Sequence, residues 1–260
     1  MNIIVCIKQV PNTTEIRIDP VTNTLIRDGV ESVINPFDTY AIEEAVRLKE
    51  RLSGKVTALT MGPPQAEKAL KEALSLGCDE AVLVSDRKFA GSDTWATSYT
   101  LAAAIRKIGA FDVVLCGKQA SDGDTAQVGP GISVHLDIPQ VAFVKKIEDV
   151  SVNAAKVERM TEEGYDIIET PLPCLLTVVK EINTPRLPSL KGLMRAKSAK
   201  IIRWTADDLE ADPGSLGLDG SPTRVAKIFT PPPRKGGEIL KGCAGDVSKK
   251  LVGLLKGVVI

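Results

Sequence analysis

The chain has 260 residues, with Lys plus Arg and Asp plus Glu both at 33, a formal net charge of zero. Neutrality argues against nucleic acid, whose phosphates are bound by a basic face. The 43% hydrophobic and 25% charged content is that of a water-soluble globular protein. A single histidine, His135, excludes most His-based metal sites and Ser-His or Cys-His catalysis, and 4% aromatic residues leave little for base stacking. The five cysteines (6, 78, 116, 174 and 243) form no C-x-x-C pair and read as reduced cytosolic thiols. No apolar run approaches the roughly 20 residues of a membrane helix. Met1 leads directly into the strand-like NIIVCIK without a charged signal region, so a cytoplasmic protein with no membrane span is expected.

Residues 2–7 are a short β-branched run and predict a buried strand. RIDPVTNTLIRDG (17–29) predicts a hairpin. INPFDTYAIEEAVRLKERLSG then predicts a long helix. Asn35 stands at the N-cap, Pro36 at the first helical position and Gly54 past the end. Ala41, Ala45, Leu48 and Leu52 share one face, and Glu43 and Arg47 pair one turn apart on another.

KVTALTM (55–61) is a second strand, broken by Gly62-Pro63-Pro64 before helical spacing resumes over 65–76. EAVLVS (80–85) is a third, and Asp93 caps a helix that ends at Gly109. FDVVLC (111–116) is a fourth, followed by a glycine-rich loop and a helix of about ten residues. This alternation predicts an α/β fold with a doubly wound, mainly parallel sheet. Between 139 and 180 the runs VAFVKKIE, AAKVERM, YDIIETP and PCLLTVV crowd together, and antiparallel pairing at the sheet edge is expected. Beyond Asn183 come a basic segment, a Gly/Pro/Asp-rich tail with a Pro triplet at 231–233, and a last helix over 246–258. The tail is too poor in apolar residues for its own core and is expected to wrap around something, another chain included.

The loop CGKQASDGDTAQVGPG (116–131) sits where a Walker loop would, but lacks its upstream glycine and its Ser or Thr after the Lys. Asp124 and Gln127 have capping-box spacing, and free amides at a helix start favour a phosphate. Gly123, Gly129 and Gly131 would let the backbone approach a ligand, and Lys118 and Lys8 would balance its charge. Asp122 and Asp124 would turn away from phosphate, toward backbone amides or ribose hydroxyls. The residues alone leave two readings open: a nucleotide site, or a capped strand-to-helix turn. Cys6 and Cys116 read as packed thiols and His135 as structural.

Several stretches together resemble the β subunit of electron transfer flavoprotein: VCIKQVP, NPFDTYAIEEAVRLKE, GKQASDGDTAQVGP, VERMTEEGYDIIETPLPCLLTV and KEINTPRLPSLKGLMRAKSAKI. The similarity runs from residue 1 to about 205. It implies an adenine nucleotide α-hydrolase-like fold and a heterodimer with an α subunit that carries an FAD in a mobile domain. It divides the chain into a nucleotide-binding α/β domain (1–183), a partner-recognition segment (184–205) and a C-terminal arm on the α subunit (206–260).

The resemblance offers two branches. Some members hold a structural AMP in the β subunit. Electron-bifurcating members hold a second FAD there, which takes hydride from NADH and sends electrons to the α-subunit FAD and to a low-potential acceptor such as ferredoxin or flavodoxin. The small residues Gly123 and Ala126, followed by Val128-Gly129-Pro130, look like the bifurcating type. Carried over by position, the cofactor pocket is Cys6, Ile7, Lys8, Asn35, Asp38, Met61, Gly62, Pro63 and Cys116, with the loop Gly117, Lys118, Gln119, Asp122 to Gln127 and Val128 to Pro130. Thr125 and Gln127 are expected at the phosphate or flavin. Leu190 falls at the family's apolar anchor for a docking acyl-CoA or related flavin dehydrogenase, flanked by Arg186, Met194 and Arg195. The competing interpretations are an AMP-holding β subunit of a single-FAD carrier, and a self-dimerising regulatory nucleotide domain of the universal-stress type.

Overall fold

The computed structural model describes residues 1–12, 32–227 and 236–256. Strand β1 (Asn2–Cys6) is followed by the short β2 (Gln9–Pro11) and β3 (Ser32–Ile34), which pair antiparallel with each other. The hairpin expected at 17–29 and the Pro triplet at 231–233 lie outside the described residues. Helix α1 (Pro36–Leu52), β4 (Lys55–Met61), α2 (Glu67–Leu76), β5 (Glu80–Val84), α3 (Thr94–Ile108), β6 (Val113–Gly117) and α4 (Val128–Leu136) then alternate as the sequence predicts. Next come β7 (Gln140–Val150), β8 (Ala154–Met160), β9 (Tyr165–Pro171), β10 (Cys174–Val178), α5 (Leu190–Ser198), β11 (Ile202–Trp204) and α6 (Ala244–Leu255).

The main sheet has the order β11-β5-β4-β1-β6-β10-β7-β8-β9. From β11 to β7 every pairing is parallel, and β8 and β9 add an antiparallel edge. Three of the four late runs form that edge as expected. The fourth, PCLLTVV, does not: β10 inserts in parallel between β6 and β7. Its burial explains the difference. All five residues are buried, as a strand covered on both faces requires, whereas β9 is largely exposed.

Alternation along the parallel strands splits the core. Ile3, Val5, Val56 and Leu115 face α1 and α2. Ile4, Leu59, Val114 and Leu175 face α3 and α4. The chain moves outward from β1 through β4 to β5, then returns past β1 to β6, so the strand order reverses between β1 and β6. Ligands of open α/β sheets sit beyond the carboxyl ends of the strands at such a reversal. Here those ends are Cys6 and Gly117.

The segment after β11 packs on its own chain as far as it is described there. Ala206, Leu209 and Leu216 join the core beneath α3. Asp93 does two jobs at once. Its Oδ1 caps α3 by accepting from Trp95 N (2.9 Å) and Ala96 N (3.1 Å), and its Oδ2 accepts from Thr223 N (3.0 Å) and Thr223 Oγ1 (2.8 Å). Helix α6 realises the predicted last helix, shifted two residues toward the N-terminus, and it buries none of its side chains. Leu251, Val252, Leu254 and Leu255 remain exposed on it.

Candidate functional site at the carboxyl edge

The start of α1 is pressed into the reversal between β1 and β6. Asn35 N donates to Lys8 O at 2.8 Å. Asn35 occupies the N-cap position as expected, but its side chain caps nothing in its own helix. It holds the glycine-rich loop instead: Nδ2 donates to Gln119 O (2.8 Å) and Oδ1 accepts from Ser121 N (3.0 Å). Asp38, one turn on and 5% exposed, accepts from Lys8 N at 2.7 Å and from the Gly117 amide. Its carboxylate therefore fills the base of the crevice, where the strand-end amides would otherwise meet a ligand's anion. Burial pushes Asp38 up to about 7, against the opposing pull of donors from Asn35, Lys8 and Gly117 and of the Lys8 charge.

Cys6 and Cys116 are register partners on β1 and β6, both buried. The Cys116 thiol donates a hydrogen bond to Cys6, and this, with burial, holds it well above its ordinary range, so Cys116 is a packing thiol rather than a nucleophile. Met61 and Gly62 border the same edge, with Gly62 N donating to Val84 O at 3.0 Å, and Pro63 is exposed beside them.

The two loop aspartates turn to internal partners, and these are side chains rather than backbone amides. Asp122 Oδ1 lies 2.6 Å from Lys8 Nζ, and Asp124 accepts from the Gln119 amide. Asp124 and Ala126 are left-handed (φ 53° and 55°), a strained conformation for residues with a Cβ that presents Thr125, between them, to solvent. The capping box expected at Asp124 is not formed: α4 begins at Val128, and Gln127 is its N-cap without a side-chain hydrogen bond. Gln127 Oε1 instead accepts from Thr94 Oγ1 at 3.0 Å. The first-turn amides of α4 are left without a side-chain cap, the condition under which a helix start takes an anion.

The glycines divide by role. A Cβ on Gly129 would stand 2.6 Å from Thr177 Cγ2, and one on Gly131 would stand 2.8 Å from Ser98 Cβ, so these serve helix packing. Gly123 has nothing within 4 Å and is the glycine of the loop that leaves open space. Lys118 donates its backbone amide to Val178 O (2.8 Å) and carries its ammonium over the Phe143 ring, 5.3 Å from the centroid. Among the described residues, no carboxylate forms an ion pair with it.

The expected docking residues lie at the other end of the sheet. Ser189 caps α5, and Arg195 Nη2 donates to Leu74 O (2.7 Å) and Cys78 O (2.6 Å) at the end of α2. Arg186 is held by Glu43 (2.8 Å) and Glu50 (2.6 Å) of α1. The expected Glu43–Arg47 pair also forms, at 2.5 Å. Both flanking arginines are thus structural pins, while Leu190 and Met194 stand 82% and 73% exposed beside Leu187. Arg186→Ala is expected to lower stability by about 1–2 kcal/mol in urea unfolding, because the buried Glu43 loses a guanidinium and keeps Arg47 and the backbone amide of residue 186. Leu190→Ala should change stability by less than about 0.5 kcal/mol.

Sequence reasoning missed Ser121, Thr94, Phe143 and Thr177 as parts of this site. Thr177 was the most findable, as the hydroxyl near the end of an otherwise apolar strand that stops at the ligand edge.

A family profile described as the electron transfer flavoprotein domain matches residues 22–209. The chain is 55% identical over 253 residues to the electron transfer flavoprotein subunit beta of Thermoanaerobacterium thermosaccharolyticum, covering 97% of this chain and 96% of that one. The chain belongs to the electron transfer flavoprotein family, as a β subunit. It is also 50% identical to the subunit beta of Clostridium acetobutylicum, over 98% of both chains, and to subunit CarD of the caffeyl-CoA reductase-Etf complex of Acetobacterium woodii, again over 98% of both. Electron transfer flavoprotein β subunits pair with an α subunit and associate with flavin or AMP. Among the described residues, no helix is long and apolar enough to cross a membrane, and no cluster of His, Cys, Asp or Glu could hold a metal ion.

Proposed function

We propose that this β subunit holds a second FAD at the β1–β6 reversal, in an electron-bifurcating flavoprotein that oxidises NADH. The observation that carries the reading is the open side of the loop at Gly123, next to a helix start with uncapped amides and a lysine with no carboxylate partner among the described residues. Those features fit a phosphate-bearing group larger than AMP. The likeness to CarD, named as a subunit of a CoA-thioester reductase complex, supports the same reading and favours an acyl-CoA or related flavin dehydrogenase as the docking partner.

In this reading the α4 amides and Lys118 hold the phosphates, and Thr125 and Gln127 face them. Asn35 and Asp38 act from behind, by fixing the loop and the ends of β1 and β6. When bound, the flavin would supply hydride acceptance from NADH and one-electron transfer to the α-subunit FAD and to a low-potential acceptor such as ferredoxin or flavodoxin. The protein contributes binding, orientation and charge, in keeping with buried thiols and the lack of a catalytic histidine. Leu187, Leu190 and Met194 offer an apolar anchor for the dehydrogenase, and helix α6, with Leu251, Val252, Leu254 and Leu255 exposed, an arm toward the α subunit.

The test is the cofactor content of the purified heterodimer. Two FAD and no AMP, with NADH bleaching the flavin absorbance, is the expected result. One FAD plus one AMP, unbleached by NADH, would overturn it in favour of a structural β subunit.

A further inference from the structure

Between Leu176 and Val178 the β10–β7 register shifts. Leu176 pairs with Val141 and Val178 with Val144, so Ala142 and Phe143 together face the single residue Thr177. This is a β-bulge, a device that re-aims a side chain and is concentrated beside functional sites. Phe143 occupies it with φ 60°, a left-handed conformation normally left to glycine. A bulky residue there is a true outlier, and such strain persists only where its surroundings enforce it.

Thr177 supplies that enforcement. Its Oγ1 accepts from Phe143 N at 3.1 Å. Its Cγ2 is the atom that a Cβ on Gly129 would strike, at 2.6 Å, so the same side chain seats the first turn of α4. The strained backbone turns the Phe143 ring beneath Lys118, whose ammonium rests 5.3 Å from the ring centroid. Lys8, the other cation at this edge, is already paired with Asp122. An ammonium that faces an aromatic ring rather than a carboxylate keeps its charge available.

We propose that the bulge exists to hold the Lys118 ammonium at the mouth of the crevice toward a nucleotide phosphate, with Phe143 and Thr177 as its positioning residues. This rests on the nucleotide reading of the site above, but not on which nucleotide is held, because AMP and FAD share the adenosine phosphate.

The test compares AMP with adenosine by isothermal titration into the full chain stripped of nucleotide. Lys118→Met is expected to weaken AMP about tenfold and to leave adenosine unchanged. Phe143→Asn removes the ring but tolerates the left-handed backbone, and is expected to weaken AMP about threefold with adenosine again unchanged. Adding it to Lys118→Met should bring no further loss. Thr177→Val, nearly isosteric, should behave as Phe143→Asn, and Thr177→Ser should restore AMP affinity. Equal loss of AMP and adenosine in Phe143→Asn, or losses that multiply in the double variant, would overturn the positioning role while the nucleotide site stands. An unaltered chain that binds neither ligand overturns the nucleotide reading itself, and this role with it.

Discussion

Gly117→Ala is expected to destabilise the chain by about 3 kcal/mol and to abolish nucleotide retention. Gly117 ends β6 at the reversal, and the start of α1 lies directly against it. A Cβ there would stand 2.7 Å from Phe37 C and 2.8 Å from Asp38 N, and would also overlap the Asp38 carboxylate. Neither side can yield cheaply. β6 is an interior strand paired with β1 and β10, and α1 is fixed by Pro36 and by the bonds from Asn35 and Asp38. Overpacking of this kind costs about 1–3 kcal/mol, and contact with backbone puts it at the upper end. The displaced α1 start would also release the loop that Asn35 holds. Gly123→Ala in the same loop should change stability by less than about 0.5 kcal/mol, since its Cβ meets nothing. Denaturant midpoints and bound nucleotide, measured on both variants, decide the matter. A Gly117→Ala chain that retains nucleotide and midpoint would mean that the β6–α1 contact is not rigid.

The second large effect is in pH. Asp38 is raised from 3.8 to about 7, burial being the main cause. Between those two values the folded chain keeps a proton that the unfolded chain releases, so stability falls as pH rises through the window. Three pH units of separation correspond to about 4 kcal/mol. The penalty is absent below about pH 4 and complete above about pH 7. The unfolding free energy of the native protein, minus that of Asp38→Asn, should therefore drop by about 4 kcal/mol between pH 4 and pH 8. The groups facing Asp38 are the Lys8 ammonium and the Cys116 thiol, with neutral donors from Asn35, Lys8 and Gly117. A difference that stays level across the range would show that Asp38 is ionised throughout.

Much of the parallel sheet was legible because its signals are local. Apolar runs of strand length, Asp93 before α3 and Pro36 at the start of α1 each act within a few residues. The place of β10 was not legible, because strand partners are chosen across the whole chain and a short apolar run fits either pairing. The site split in the same way. Glycines and a lysine after a strand pointed to the loop, but capping-box spacing misplaced its helix start. Asp124 turned left-handed and gave its carboxylate to Gln119, leaving Gln127 as the N-cap. Asn35 is instructive in another way: the right residue stood at the right position, yet its side chain serves a loop 84 residues away rather than its own helix. Phe143 could not have been found, since nothing in VAFVKK marks a bulge.

Helix α1 touches both working regions. Asn35 at its start holds the glycine-rich loop, and Glu50 near its end holds Arg186. Fifteen residues at about 1.5 Å each place them roughly 22 Å apart along one rigid rod. Changes that far apart act independently on stability. Under the proposed function, cofactor choice and dehydrogenase choice would then be separable traits. If the proposed function holds, exchanging residues 184–200 for those of a relative is expected to redirect electrons to another enzyme while the far end keeps its cofactor, which dehydrogenase assays and cofactor content on the exchanged chain would check.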